Sequence, residues 1–275
     1  MTMLSINTNI GALNASQSSY SVNNSMETSM ARLSSGNRIN SAADDAAGLQ
    51  IARRMDTEIQ GLNQAVRNAA DAQALLQTAE GALDEVHTIL LRIRELSVQA
   101  SNGTYGAQDR LAIQAEVTDL QSEITRISND TTWNSISLIE GSQSTGITFQ
   151  IGADNSQTVT VAIANIALAT LSIGGTSQVT TATNAMSYIA AVDKAISVIS
   201  TNRGTYAAAI NRLDHSVANM QDAATNLAEA KGRITDADFA AETSNLSRTQ
   251  VLQQASMAML AQANAAKQNI LTLIQ

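Results

Sequence analysis

The chain has 275 residues, with 24 acidic against 16 basic side chains and a net charge of −8, a balance that argues against nucleic acid as a partner. It contains no cysteine, which excludes disulfides, thiolate metal sites and cysteine nucleophiles and leaves the redox compartment open. Proline is also absent, where average usage of about 5% would supply around fourteen, and aromatics make up only 3%; both point to long unbroken helices with thin alanine and leucine seams rather than a thick globular core.

Residues 1–31 carry a single charged side chain, Glu27. Ile6, Ile10, Leu13, Tyr20, Met30 and Leu33 follow helical spacing, diluted by serine, asparagine and glutamine. Met1–Ser16 shows neither a basic segment nor a continuous apolar core, so a cleaved secretory signal is not expected. A turn-rich stretch, Leu33 to Ser41, leads to Asp44-Asp45, acidic residues suited to the positive end of a helix.

From Asp44 to Ala100 apolar residues recur at steps of seven: Met55, Leu62, Ala69, Leu76, Leu83 and Leu90. A second row runs beside them, Ala52, Ile59 and Val66, then Ala72, Ala79, Val86, Ile93 and Ala100 after a one-residue slip. Two such rows predict one long helix with coiled-coil packing. Gly61 and Gly81 lie inside it, each costing on the order of 1 kcal/mol against alanine, too little to break the pattern. A helix of this kind cannot bury its stripe alone. Ser101 to Gly106 reads as a reversal of the chain, and Ile113, Val117, Leu120, Ile124 and Ile127 predict a shorter antiparallel partner.

Residues 129–146 are polar and irregular, with the sole tryptophan at Trp133. The period then becomes two: Ile147, Phe149, Ile151 and Val159, Val161, Ile163 flank Gly152 to Ser156, predicting a β-hairpin over 147–163. Residues 164–184, low in complexity, read as an exposed loop. Heptads return from Ala185, as Val192, Ile199, Tyr206, Leu213, Met220 and Leu227, with Ile189, Ile196, Arg203, Ile210, Val217 and Ala224 alongside. Arg203-Gly204 is the weak place in that helix, and Lys231-Gly232-Arg233 its expected end. Thr235-Asp236-Ala237-Asp238 offers an N-cap to a final helix, in which Leu252, Met259, Ala266 and Leu273 form a row beside Ala263 and Ile270. From Thr249 onward its only charged side chain is Lys267.

Both ends are therefore amphipathic yet nearly free of charge, whereas a monomeric surface helix presents lysine and glutamate to water. Such faces suit helices that pack against neighbours on several sides and fold on association. Polymerisation seams are expected at Ile6, Ile10, Leu13, Leu252, Met259, Ala266, Ile270 and Leu273. No run of eighteen apolar residues occurs, so no membrane insertion is expected. His87 and His215 lack metal-type partners, and Asp236, Asp238 and Glu242 lack a calcium-loop ligand series. With no Gly-x-Ser-x-Gly elbow or phosphate loop, no enzyme, cofactor or metal is expected. The sequon Asn102-Gly103-Thr104 is a weak match; serines and threonines in 142–184 are the better expected glycan sites.

Several long motifs, in order, resemble bacterial flagellins. They are Ser5 to Asn9, Arg32 to Leu49 (Arg-Leu-Ser-Ser-Gly-Asn-Arg-Ile-Asn-Ser-Ala-Ala-Asp-Asp-Ala-Ala-Gly-Leu), Leu91 to Gln99, Asn211 to Asp214, Arg233 to Phe239, Gln250 to Ala255 and Leu260 to Asn264. The resemblance covers about residues 1–145 and 185–275. Lys267 stands where the family usually has proline, Leu91 where glutamine is common, and Trp133-Asn134-Ser135 where phenylalanine precedes Asn-Gly.

The resemblance implies a mainly α, elongated antiparallel coiled-coil bundle with a small hairpin and paired terminal helices. Residues 1–43 with 236–275 would form an inner tube, and 44–235 an outer tube of a helical homo-polymer, the secreted, extracellular filament of swimming motility. It further implies an uncleaved N-terminus, export unfolded through the flagellar secretion apparatus, an export chaperone on the C-terminal helix, and hook-associated junction and cap proteins as partners. Recognition by the flagellin-sensing Toll-like receptor is implied through Arg92, Leu96 and Glu116; read without the family, Leu96 is seam packing and the other two are surface charges. The rival readings are a hook–filament junction protein, an enzyme on the same scaffold, and a monomeric coiled-coil adhesin. The Leu91–Gln99 and C-terminal motifs favour flagellin over the first. Residues 147–184 are too few and too bland for a catalytic domain, and an adhesin would carry charged ends.

Overall fold

The computed structural model describes residues 8–175 and 178–272, those from 267 onward by backbone alone. Five helices dominate: α1 (Ile10–Ser35), α2 (Ala46–Ser101), α3 (Ala107–Asp130), α4 (Ala182–Thr235) and α5 (Phe239–Thr272). Two antiparallel strand pairs lie between α3 and α4: β1 (Thr132–Trp133) with β2 (Ile136–Ser137), and β3 (Ile147–Gln150) with β4 (Thr158–Val161). The chain is thus mainly α. It divides into two compact units, one from the residues up to Thr57 together with those from Asn226, the other from Glu58–Thr225.

In the unit Glu58–Thr225 the predicted heptads form the core. Ala69, Leu76, Leu83 and Leu90 are buried on α2 with Ala72, Ala79, Val86, Ile93 and Ala100; Val192, Ile199, Tyr206 and Leu213 answer from α4. Polar pairs on the rim fix the antiparallel register of α2 against α4. Gln73 donates to Asp214 at 2.7 Å, Arg203 pairs with Asp84 at 2.8 Å, and Arg94 pairs with Asp193 at 2.6 Å. Arg203-Gly204 does not interrupt α4. Arg203 replaces an apolar heptad residue, and its guanidinium reaches out of the seam to Glu80 and Asp84. Nor does Lys231-Gly232-Arg233 end the helix, which continues to Thr235.

The expectation of an exposed loop over 164–184 is corrected: Ala182 already opens α4, and the described residues before it continue a largely buried segment that begins at Ser137. Leu138, Ile139, Ile163, Ile166, Leu171, Ile173 and Val179 are all buried, and the segment seals the α3–α4 side of the core. Buried backbone needs partners, and side chains of α3 and α4 supply them. Tyr206 Oη accepts from Ala164 N at 2.8 Å, Gln114 Oε1 accepts from Val179 N at 2.8 Å, and Gln121 Nε2 donates to the Ile173 carbonyl at 2.6 Å. Tyr188 Oη donates to the same carbonyl at 3.0 Å. Burial pushes the Tyr188 and Tyr206 phenols above their ordinary range, so both stay neutral in these bonds at physiological pH.

The hairpin β3–β4 pairs Ile147 with Val161 through to Gln150 with Thr158, within the expected bounds. Its turn rests on α2: a β-carbon added to Gly61 would stand 2.8 Å from Ala153 Cβ, whereas one on Gly81 would meet nothing within 4 Å. Asn68 Nδ2 donates to the Gln150 carbonyl at 3.1 Å beside it. The shorter pair β1–β2 turns through Asn134 (φ 47°) and Ser135 (φ 66°). Two consecutive left-handed residues define the tight hairpin turn for which Asn-Gly is preferred, and serine at the second place is strained.

Two predictions follow from these contacts. Gly81→Ala stabilises the protein by up to about 1 kcal/mol through helix propensity, while Gly61→Ala loses that gain against Ala153; urea midpoints followed by circular dichroism compare them, and equal stabilisation would mean that the hairpin turn does not rest on Gly61. Ser135→Gly relieves the strained turn and raises thermal stability by about 1 kcal/mol, and a fall in melting temperature would count against that turn geometry.

Candidate assembly interface

In the unit that holds both ends, α1 and α5 pack along each other. Asn9 caps α1 by accepting from Ala12 N at 3.1 Å, and its Nδ2 donates to the Ala263 carbonyl of α5 at 3.1 Å. Asp238 caps α5 by accepting from Ala240 N and Ala241 N at 2.9 and 3.1 Å. The connection between α1 and α2 is tied to the α4–α5 junction by an antiparallel bridge of Asn37 with Asp236. Beside it Arg38 N donates to the Thr235 carbonyl at 2.6 Å, Ala237 N to that of Gly36 at 2.9 Å, and Arg38 Nη2 to that of Ile234 at 2.7 Å. Two of the sequence motifs, distant in the chain, thus meet directly. Gly36 ends α1 at φ 71°, a left-handed position natural to glycine. Within the connection, backbone and hydroxyl donors of Asn40 and Ser41 hold the Asp44 carboxyl below its usual range.

The side chains between α1 and α5 are mostly small or polar. On α1 they are Ala12, Ala15, Ser19, Val22, Met26 and Ser29; on α5 Glu242, Leu246, Thr249, Gln253, Ser256, Leu260 and Ala263. Their spacing alternates threes and fours, as a coiled-coil seam requires. Asn23 Oδ1 accepts from Gln253 at 2.8 Å, and buried Glu242 pairs with Arg32 at 3.6 Å.

A second set of large apolar residues lies outside that seam. Ile10 is 59% exposed, Leu13 61%, Leu252 45% and Met259 67%, and Ala266 is exposed as well. Tyr20, Met30, Val251 and Met257 share this state. Leu252, Met259 and Ala266 line a groove with Gly11, Ala15 and Ser18 of α1. Full burial of a large apolar side chain is worth roughly 1.5–3 kcal/mol, and these half-exposed ones forgo part of it. Of the other expected seam residues, Ile6 and Leu273 lie outside the described residues, as does the side chain of Ile270. The sequence did not separate the intramolecular seam from the apolar row; the seam is displaced by one residue along α5, and its Gln253 and Ser256 carry no hydrophobic signal.

On the other unit Arg92 and Glu116 come together. Arg92 donates through Nε and Nη2 to Glu116 Oε1 at 3.0 and 2.7 Å, and through Nη1 to Glu95 Oε2 at 2.7 Å. These carboxylates, Glu116 foremost, raise the Arg92 pKa. Leu96 does not join them on the surface: it is 2% exposed and packs in the core. Among the described residues no group of three or more His, Cys, Asp or Glu is placed to hold a metal ion, and no helix is long and apolar enough to cross a membrane.

Residues 6–144 match the bacterial flagellin N-terminal helical region, and residues 189–274 the bacterial flagellin C-terminal helical region. The flagellin of Halalkalibacterium halodurans is 42% identical over 271 residues, covering 98% of this chain and 99% of its own. The flagellin of Bacillus subtilis is 39% identical over 302 residues, and the flagellar filament 33 kDa core protein of Treponema phagedenis 38% over 284, each with 98% of this chain and 99% of the relative covered. Among solved structures, Bacillus cereus flagellin superposes with a TM-score of 0.51 at 32% identity, over 60% of this chain and 94% of that one. A putative flagellar hook-associated protein from Vibrio parahaemolyticus gives 0.59 at 14% identity, over 70% and 100%, a likeness of fold alone. The chain belongs to the bacterial flagellin family, whose members are structural proteins of the flagellar filament and not enzymes.

Proposed function

We propose that this chain is a secreted subunit that polymerises with copies of itself into a flagellar filament, driven by burial of the outward faces of α1 and α5. The observation that carries the reading is the combination of exposure and neutrality. Ile10, Leu13, Leu252 and Met259 are exposed, while residues 1–31 and 249–275 carry one charge each, Glu27 and Lys267. Charge would oppose close packing of many copies, and large apolar side chains reward it. Residues 1–43 with 236–275 form the inner layer of this polymer, and 44–235 the outer layer. Export unfolded, a chaperone on the last helix, and junction and cap proteins at the ends of the filament belong to the same reading.

Leu252→Glu and Met259→Glu test it, because both positions are exposed and tolerate charge in the monomer. Each variant keeps the wild-type helical content but fails to elongate seeds in light scattering and negative-stain microscopy. Elongation at the wild-type rate by both would remove the ends from the assembly interface.

Recognition by the flagellin-sensing Toll-like receptor is the finer part of the proposal. Arg92 and Glu116 are surface groups held in one orientation by their mutual hydrogen bonds, while Leu96 is buried in the core. Arg92→Ala and Glu116→Ala weaken signalling in receptor reporter cells and leave the melting temperature essentially unchanged, as exposed ion pairs contribute little. Leu96→Ala lowers stability as well. Undiminished signalling by both surface variants would place receptor contact elsewhere.

A further inference from the structure

The sequence holds a single Asn-Gly pair, Asn102-Gly103, and it stands in the exposed turn between α2 and α3. Glycine after asparagine leaves the following backbone nitrogen unscreened, so that it reaches the asparagine side-chain carbon. Here the space is open: a β-carbon on Gly103 would meet no atom within 4 Å. The turn adds a chemical ingredient. The Asn102 main-chain oxygen accepts from Tyr105 N at 3.4 Å and from Arg110 Nη2 at 3.0 Å. Arg110 is itself anchored, its Nε donating to the Ala100 carbonyl at 2.8 Å.

That oxygen belongs to the peptide group whose nitrogen is Gly103 N. When this N–H loses its proton, the negative charge of the resulting imidate rests largely on the oxygen. A guanidinium hydrogen-bonded there stabilises the anion more than the neutral amide, and so favours the nucleophile. Asn102 Oδ1 in turn accepts from Thr104 N at 3.4 Å, which polarises the carbon under attack.

We propose that Asn102 is a self-modifying site, converted to aspartate and isoaspartate through attack of Gly103 N on Asn102 Cγ, with Arg110 activating the attacking peptide group. The new bond joins Gly103 N to Cγ and gives a succinimide. The Cγ–Nδ2 bond breaks, and the side-chain nitrogen leaves as ammonia with the proton taken from Gly103. Water then opens the ring. Attack at Cγ restores the main chain and leaves aspartate; attack at the main-chain carbonyl leaves isoaspartate, with the chain running through the former side chain. No electrons are exchanged, and water is the only co-reactant. The product adds one negative charge beside Arg110. In the isoaspartyl form it also displaces the carbonyl that Arg110 holds, loosening the α2–α3 turn. Asn134 and Asn155 are each followed by serine in tight turns and serve as internal comparisons.

The test is incubation of the purified full chain at neutral and mildly alkaline pH, followed by peptide mapping that separates aspartate from isoaspartate. Conversion at Asn102 outruns that at Asn134 and Asn155 and is lost in Gly103→Ala. It slows in Arg110→Gln and recovers in part in Arg110→Lys, with circular dichroism confirming that all variants fold. Conversion in urea but none in the folded wild type would show that the turn protects Asn102 and overturn the proposal. Arg110→Gln converting as fast as wild type, or faster, would overturn the activating role of the guanidinium.

Discussion

A helix pair whose seam is mostly small or polar side chains covers only part of the apolar surface that its two helices carry. The α1–α5 pair is built this way, with Ala12, Ala15 and Ser19 facing Gln253, Ser256 and Ala263. Ile10, Leu13, Leu252 and Met259 stay exposed beside it. The seam thus holds a few large apolar residues, Val22, Met26, Leu246 and Leu260, among small and polar ones, and a second set of large residues is left on the exterior of the pair. In an ordinary monomer the assignment is reversed, with bulk inside and charge outside.

The unit Glu58–Thr225 follows that ordinary rule. Leucine, isoleucine and tyrosine occupy its seams, and the rim is laced by Arg94–Asp193, Arg203–Asp84 and Arg92–Glu116. Exposed pairs of this kind contribute little to stability, but they set register: a slip of one residue along α2 would separate every one of them from its partner. Packing supplies the energy there and charge supplies the alignment. In the unit of the two ends, residues 1–31 and those from Thr249 onward carry one charge each, and alignment rests on the Arg32–Glu242 pair and on backbone, through the bridge of Asn37 with Asp236 and the Arg38 bonds to Ile234 and Thr235.

The long seams were legible because their signal is periodic and strong. Met55 to Leu90 and Ala185 to Met220 repeat at seven, and the described structure buries or half-buries every one of those positions. The hairpin Ile147–Gln150 with Thr158–Val161 was legible for the same reason, at period two. What failed was the segment from Ala164 to Thr181, where Ile166, Leu171, Ile173 and Val179 fall at irregular intervals among alanine, threonine and glycine. No period marks such a segment, since each residue is buried by a separate contact. One clue lay on its partner: Gln114 and Gln121 stand seven apart on the apolar face of α3, and glutamine at a core position has to serve some buried backbone group. The turn at Asn134-Ser135 escaped notice because serine replaces the glycine that normally announces it.

The same distinction explains why the apolar rows could be named from the sequence while what covers them could not. A heptad row records that a face is apolar, not what covers it. On α2 the row is covered from within the chain; on α5 the row Leu252, Met259, Ala266 is not. Charge on the remaining faces separates the two cases. Arg53, Arg54, Asp56, Glu58 and Arg67 mark the outer faces of α2 as solvent-facing, whereas α5 beyond Arg248 offers glutamine, asparagine and serine up to Lys267. Amides and hydroxyls bond to water or to another protein surface at similar cost, so a face made of them is compatible with both states. A subunit that must exist first alone and then enclosed needs that indifference. An apolar row flanked by uncharged amides is therefore the sequence form of a surface that is wet in the monomer and dry in the polymer.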